Sequence, residues 1–239
     1  MGENYIFHVH TKRCRHASED ADEAYIRKAM ELGASSIVFT DHAPFPGNPF
    51  TNRMLDTELS EYVHSLKFLK EKYREKMNIH IGLEIEYLPS YVDYYEELKE
   101  NPDIELLMLG QHHYEIAPGY YNFQQKDKRK EKIYAGLMEA QIEGIQSGFF
   151  QVIAHPDRCI CRYTDGWNRQ IETDCRTLLR EAQKHHVILE QNRKCICQEF
   201  WKMVSRDVFF LNGCDAHTVN ELYVSKESRE SDVEVSIWN

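Results

Sequence analysis

No apolar run in this 239-residue chain approaches the roughly 20 residues that a membrane-crossing helix needs, so no membrane partner is expected. The first residues, Met1-Gly2-Glu3-Asn4-Tyr5, carry neither a basic segment nor an apolar one. A secretory signal is therefore not expected, and the cytoplasm is the expected compartment. Positive charge is in deficit: 29 Lys and Arg face 39 Asp and Glu, a formal net charge of −10. Nucleic-acid binders show a basic patch or stripe instead, so long nucleic acid is disfavoured as a partner. The seven cysteines include no CxxC pair, which leaves zinc-finger and thioredoxin-type readings without support. Cys14, Cys159, Cys161, Cys175, Cys195, Cys197 and Cys214 are expected as free, mostly buried thiols in a reducing compartment. No GxGxxG follows the first strand-like run, so a dinucleotide fold has no support. There is no linker, internal repeat or low-complexity stretch. The length suits one domain over residues 1–239, and also a single α/β barrel of about 250 residues.

What the chain does contain is alternation. Apolar runs at Tyr5–His10, Ser36–Asp41, Ile79–Glu84, Ile104–Gly110, Phe150–His155, Val187–Glu190 and Val208–Leu211 read as strands. Segments with apolar residues near helical spacing separate them: Ser18–Leu32, Asp56–Tyr73, Tyr91–Lys99, Asp127–Gln146, Thr173–Lys184 and Gln198–Val204. In Asp56–Tyr73 the apolar positions are Leu59, Val63, Leu66, Phe68 and Leu69. Strict β–α alternation implies a parallel sheet, closed into a barrel or open and doubly wound. The last stretch, Thr218–Asn239, is an atypical tail without a helical face, where a barrel would normally finish with a helix.

Histidine and carboxylate residues gather where the strands end. The first run gives His8 and His10, followed by His16; the second ends Asp41-His42; the third ends at Glu84, with Glu86 two residues on. The fourth leads to His112-His113, the fifth to His155-Pro156-Asp157, the sixth to Glu190, and the seventh to Asp215-Ala216-His217. In parallel barrels the C-terminal ends of the strands build the active site. Imidazole together with carboxylate suits zinc, manganese or iron, not calcium. Burying so many polar groups together without a cation would be costly. More than six donors are too many for one tetrahedral ion, so two or three ions fit better. His64, His80, His185 and His186 lie away from that face and read as structural.

The order HxH, His, DH, Glu, His, HPD, DxH resembles the polymerase and histidinol phosphatase (PHP) superfamily. Asn52-Arg53-Met54, Tyr62, Leu66-Lys67, Lys72-Tyr73 and Gly82-Leu83-Glu84-Ile85-Glu86-Tyr87 are similar to its histidinol-phosphate phosphatase branch. The resemblance covers roughly residues 5–217. It implies an α/β fold, a distorted (β/α)7 TIM-like barrel of parallel strands with a centre of three divalent ions, Zn, Mn or Fe, at the strand C-terminal ends. Carried over residue by residue, it implies that His8, His10, Glu84 and Asp215 hold one ion. Glu84 would bridge to a second ion held by His155 and a fourth-strand histidine, and His16, His42 and His217 would hold the third. For the fourth strand His112 is favoured, two residues after Gly110 as in related barrels; spacing three after it would select His113.

The resemblance further implies a metal-dependent phosphomonoester hydrolase in which water activated by the ions attacks phosphorus. The expected substrate is a small phosphorylated metabolite, with histidinol phosphate of histidine biosynthesis leading. Arg158 and Arg193 follow two of the strand ends and are placed for a phosphate clamp. Asp215 or His217 is placed to pass a proton to the leaving alkoxide. The run Glu190-Gln191-Asn192-Arg193-Lys194 departs from the Glu-x-Asn-Thr common in related phosphatases, which bears on the substrate contacts. Alternatives are another PHP phosphoesterase (nucleotide or sugar phosphate, or nuclease), an amidohydrolase-like C–N hydrolase, and a non-catalytic metal-binding module. No strand ends in the Lys that the amidohydrolase reading would want. Oligomeric state is not encoded in these patterns.

Overall fold

Ser36–His42 is buried at all seven positions, as a parallel strand covered on both faces must be. The computed structural model describes residues 4–116, 119–121 and 129–226. The chain divides into two compact units. One comprises Met1–Glu84, Leu98–Leu107 and Asn212–Asn239; the other comprises Ile85–Glu97 and Met108–Leu211.

In the first unit, β1 (Asn4–Val9), β2 (Ser36–His42) and β3 (Asn78–Ile85, in this unit through Glu84) run parallel, with α1 (Asp22–Glu31) and α2 (Leu59–Tyr73) as the crossovers. The β2–β3 register is unbroken from Ser36↔Asn78 to His42↔Glu84. It sets the last residue of β2 level with Glu84. Residues 214–216 lie along β1: the Cys214 N–H donates to Phe7 O at 2.8 Å and the Ala216 N–H to His8 O at 3.0 Å. The chain closes on this edge with β10 (Ser225–Lys226), antiparallel to Asn4 and Tyr5. Helix α2 buries Tyr62, Val63, Leu66, Leu69 and Tyr73 on one face, and each such apolar side chain contributes about 1.5–3 kcal/mol by leaving water. Tyr62 also donates its hydroxyl to Gly82 O at 2.7 Å, tying the helix to β3. Phe68, expected on that face, is 64% exposed; it lies two positions from Leu66, which is off a helical stripe.

In the second unit, Met108 and Leu109 of β4 (Leu106–Leu109) pair in parallel with β7 (Val152–Ile153), and β7 pairs with β8 (Ile188–Asn192). Leu189 N–H then donates to Phe209 O at 2.9 Å, just before β9 (Phe210–Gly213). A hairpin of β5 (Tyr114–Ile116) and β6 (Gly119–Tyr121) follows β4. Helices α3 (Val92–Glu100, in this unit through Glu97), α4 (Lys130–Ser147), α5 (Arg158–Tyr163), α6 (Arg169–Lys184) and α7 (Gln198–Trp201) complete the order. Helix α6 starts four residues before the expected Thr173 because the Asn168 side chain caps it, accepting from the Gln170 and Ile171 N–H groups. Helix α4 ends at Gly148, whose φ of +75° is a left-handed stop.

Seven parallel strand positions were expected, and β1–β4 and β7–β9 occupy them. The fifth run, expected over Phe150–His155, is only two residues long, because His155 turns to φ +35° directly afterwards. Three elements were not expected: the β5–β6 hairpin, α5 and β10. Of the tail, the described part holds a 3-10 turn at Val219–Glu221 and β10. Residues 227–239, and the expected helical start at 127–128, lie outside the described residues. The expectation of seven free thiols is corrected: Cys161 and Cys195 form a disulfide, with Cα atoms 6.7 Å apart, and five cysteines are free. A bridge across 34 residues has no local spacing signal to betray it. Among the described residues no helix is long and apolar enough to cross a membrane.

Candidate metal centre

Simple strand alternation is not what brings His8 and His10 together. Between the pairs Ile6↔Ile37 and Val9↔Phe39, β1 advances three residues while β2 advances two. The extra residue makes a bulge, and His8 sits in it at φ +69°. Both rings are fully buried, with centroids 4.8 Å apart. Opposite them stand Glu84, from the end of β3, and Asp215, from the stretch beside β1. His8 Nε2 and His10 Nε2 each lie 3.3 Å from Glu84 Oε2, and Asp215 Oδ1 is 3.7 and 3.4 Å from the same two nitrogens. Around a tetrahedral ion with bonds of about 2.0–2.1 Å, ligand atoms stand about 3.3–3.4 Å apart. The His8, His10 and Glu84 atoms therefore suit one divalent ion, with Asp215 Oδ1 within reach of both nitrogens.

A second observation agrees. His10 Nε2 is buried and makes no hydrogen bond, despite the carboxylates beside it. Burial pushes the His10 imidazole down in pKa, but the Asp215 and Glu84 carboxylates outweigh it and hold the ring above its ordinary value. Two buried carboxylates thus ask for positive charge, which a divalent cation supplies. The backbone is strained where these donors sit: His8 at φ +69° and Asp215 at φ +47° are in the left-handed region, which non-glycine residues rarely adopt.

His16 and His217 form a second pair in the same unit. His16 Nδ1 donates to Cys14 O at 2.6 Å and His217 Nδ1 to Asp215 O at 3.0 Å. Each ring then turns Nε2 toward the other, 2.9 Å away. Two nitrogens whose protons are committed elsewhere repel at that distance unless a cation or shared proton lies between them. His42 is close by: its ring stacks at 5.4 Å from that of His16, and its Nδ1 is 3.2 Å from Glu84 Oε2.

The second unit has its own cluster. Buried Glu86 faces His112 Nδ1 at 3.2 Å and His113 Nδ1 at 2.9 Å. Arg158, the first residue of α5, reaches His112 Nε2 with Nη1 at 3.3 Å. A guanidinium only donates, so His112 Nε2 is an acceptor and its proton is on Nδ1, toward Glu86. The His112 and His155 rings lie 5.3 Å apart. His155 is held at φ +35°, its N–H donating to buried Glu190 Oε2 at 2.9 Å. Arg193 is exposed in the turn after β8. Asp157, kept above the usual carboxylate range by burial, accepts the Cys197 N–H at 2.7 Å and Trp201 Nε1–H at 2.9 Å, and so anchors the segment beyond that turn.

Within the first unit, then, the structure gathers His8, His10, His16, His42, Glu84, Asp215 and His217; within the second it gathers His112, His155 and Arg158. Of the histidines set aside, His80 pairs with Glu105 at 2.9 Å, and His185 faces Glu181 at 3.7 Å. Sequence reasoning named Asp41, Glu86 and Glu190 at the strand ends without giving them a role, and it passed over Cys14. Their adjacency to candidate ligands was visible, but their contacts depend on side-chain directions that only the fold supplies.

Comparison with known proteins adds the following. The histidinol-phosphatase of Bacillus subtilis is 37% identical over 93 residues, 36% of this chain and 34% of that protein. The chain spans about a third to three fifths of the length of the curated relatives it matches. A Listeria monocytogenes structure, provisionally assigned as a histidinol phosphatase, superposes with a TM-score of 0.76 at 21% identity, covering 91% of this chain and 96% of that one. The histidinol phosphate phosphatase of Lactococcus lactis, solved with zinc, L-histidinol and phosphate, gives a TM-score of 0.71 at 19% identity, covering 91% and 87%. These likenesses show the fold class, an α/β TIM-like barrel of parallel strands. The PHP domain family matches residues 7–194, more than half of the sequence. On that match, together with the likeness of fold, the chain belongs to the PHP domain family.

Proposed function

We propose that this chain is a metal-dependent phosphomonoester hydrolase and that histidinol phosphate is its substrate. The observation that carries this is the set His8, His10, Glu84 and Asp215, with both imidazole Nε2 atoms 3.3–3.7 Å from the carboxylate oxygens and His10 Nε2 buried without a hydrogen bond. The metal ligands we assign are His8, His10, His16, His42, Glu84, His112, His155, Asp215 and His217, holding three ions of Zn, Mn or Fe. The bound zinc, histidinol and phosphate of the Lactococcus lactis protein support that choice of metal and substrate. The family match over 7–194 spans parts of both units and supports reading the chain as a single PHP-type domain.

Divalent ions at such a site lower the pKa of bound water and stabilise negative charge on phosphate oxygens. The chain's own groups do the rest. Arg158 and Arg193 offer planar, permanently charged forks that suit phosphate oxygens. Glu86 holds His112 through Nδ1, which leaves Nε2 toward Arg158, and Glu190 holds the strained backbone of His155. Asp215 or His217 would relay a proton released by the attacking water to the departing alkoxide, which is otherwise a poor leaving group. A cytoplasmic setting is consistent with the five free cysteines; the Cys161–Cys195 bond is the one that a reducing compartment would open.

The test is phosphate release from histidinol phosphate and p-nitrophenyl phosphate by protein loaded in turn with Mn²⁺, Zn²⁺ and Fe²⁺. Turnover is expected with at least one metal, and its loss in His155→Ala. Arg158→Ala is expected to raise KM more than it lowers kcat. No release with any of the three metals would overturn the phosphatase reading.

A further inference from the structure

We infer that Cys14 is a positioning residue for the metal centre: its side chain joins the Asp41 carboxylate to the His10 ring and fixes which nitrogen His10 offers to an ion. This role rests on the reading of His8, His10, Glu84 and Asp215 as ligands. Cys14 is fully buried in the 3-10 turn Lys12–Cys14 that follows β1. Its Sγ lies 2.9 Å from Asp41 Oδ1, 3.1 Å from the His42 backbone nitrogen and 3.3 Å from His10 Nδ1.

The proton count decides the direction of each contact. A carboxylate oxygen accepts, so the single thiol proton points at Asp41. The His42 N–H can only donate, so sulfur accepts it. With its proton already committed, sulfur can only accept from His10 as well, which places the ring proton on Nδ1. Nε2 is then the bare nitrogen, the atom 3.3 Å from Glu84 Oε2 and 3.4 Å from Asp215 Oδ1. Asp41 is itself immobilised: Thr11 donates to it through N–H at 2.7 Å and through its hydroxyl at 3.0 Å. Arg13, paired with Asp22 and Glu61, donates to the same Thr11 hydroxyl at 3.0 Å. A chain of contacts thus runs from Arg13 through Thr11, Asp41 and Cys14 to a ligand ring.

His10, Cys14 and Asp41 also lie close enough to suggest an ion of their own. The distances argue otherwise. Sulfur and oxygen on one tetrahedral zinc stand about 3.5 Å apart, whereas Cys14 Sγ and Asp41 Oδ1 are 2.9 Å apart, a hydrogen-bond distance. Both Asp41 oxygens already accept hydrogen bonds. Cys14 orients a ligand and is not one.

The test compares full-length wild type, Cys14→Ala and Cys14→Ser. Zinc affinity is measured by competition with a chromophoric chelator, and the thermal midpoint of each metal-free protein reports folding. Cys14→Ala is expected to bind one ion about 10–100-fold more weakly, as loss of a ligand's supporting hydrogen bond usually does. Cys14→Ser, whose hydroxyl can donate to Asp41 and accept from His10 as the thiol does, is expected to recover part of that loss. In zinc-loaded wild type, long-range proton–nitrogen correlation should find the His10 proton on Nδ1, with zinc on Nε2. Cobalt-loaded wild type should show no sulfur-to-cobalt charge-transfer band. Wild-type zinc affinity in a folded Cys14→Ala, zinc on His10 Nδ1, or a sulfur-to-cobalt band each overturns the role of Cys14. If Cys14→Ala does not fold, the two wild-type spectra and Cys14→Ser decide the matter alone. Wild type that takes up no zinc overturns the metal-centre reading itself, and the role of Cys14 with it.

Discussion

Glu86 serves two adjacent histidines with one carboxylate. Its side chain is fully buried, and both His112 Nδ1 and His113 Nδ1 meet its Oε1. Removing the charge leaves two ring protons competing for one buried amide oxygen. Glu86→Gln is therefore expected to weaken metal binding about 10–100-fold, read by chelator competition, with the fold intact by circular dichroism. Unchanged affinity would show that neither histidine depends on it. The contrast with the proposed ligands shows what a sequence discloses. His8, Glu84, His155 and Asp215 stand out because each is polar at the end of an apolar run, an anomaly visible in one dimension. Glu86 and Cys14 carry no such anomaly: Cys14 meets Asp41 across 27 positions and Glu86 meets His113 across the same number, and neither meeting leaves a pattern along the chain. The choice between His112 and His113 was open for a related reason. Neighbouring residues diverge in direction, and it is the His112 ring that meets Arg158 and lies 5.3 Å from the ring of His155.

At the scale of elements, the apolar runs were legible because parallel strands buried on both faces leave long hydrophobic stretches. Their ends were not, since β7 is cut short by the turn at His155 and β1 is lengthened by a bulge. The β5–β6 hairpin escaped notice because its strands are three residues each, too short for a period to show, although Pro118-Gly119 is a turn signal. Packing between elements yields a prediction at Gly144 of α4. An added Cβ there would stand 2.7 Å from Leu109 Cδ2 and 3.0 Å from Tyr87 Cβ. Leu109 Cδ2 can rotate away, but the Tyr87 Cβ is fixed by its backbone. Gly144→Ala is expected to destabilise by about 1–3 kcal/mol, measured as a shift in urea midpoint at unchanged slope.

A second prediction at this scale concerns pH. Burial would raise the Glu105 carboxyl, but His80 and Lys70 outweigh it and hold it below its ordinary 4.5. A carboxylate depressed by folding adds stability above its unfolded pKa and loses it as pH falls through that value and the folded one. Glu105→Gln should therefore be less stable than wild type near pH 7 by about 1 kcal/mol or less. The gap should close as both proteins are taken down through the range below pH 4.5. A gap that widened in acid would refute the assignment.

For the molecule as a whole, bound ions and folding are one equilibrium. A site filled at about 100 times its dissociation constant adds about 2.7 kcal/mol to stability. Chelation is therefore expected to lower the thermal midpoint, and added zinc to restore it; a midpoint indifferent to both would count against the centre. The covalent state is open to a direct count as well. Denatured without reductant, the chain should show five reactive thiols, and seven after reduction. The family and the barrel were legible because their motifs are spread along most of the chain, whereas the disulfide joins helix α5 to the turn after β8, two segments that nothing in the sequence relates.

The bulge at His8 has a practical corollary for protein engineers. Copied onto a straight strand, His-Val-His would carry the right letters and the wrong geometry. The φ of +69° that aims His8 is supplied by a neighbour strand running two residues for every three. Transplanting this proposed chelate means transplanting the slipped register with it, and a scaffold chosen for regularity would reject the graft.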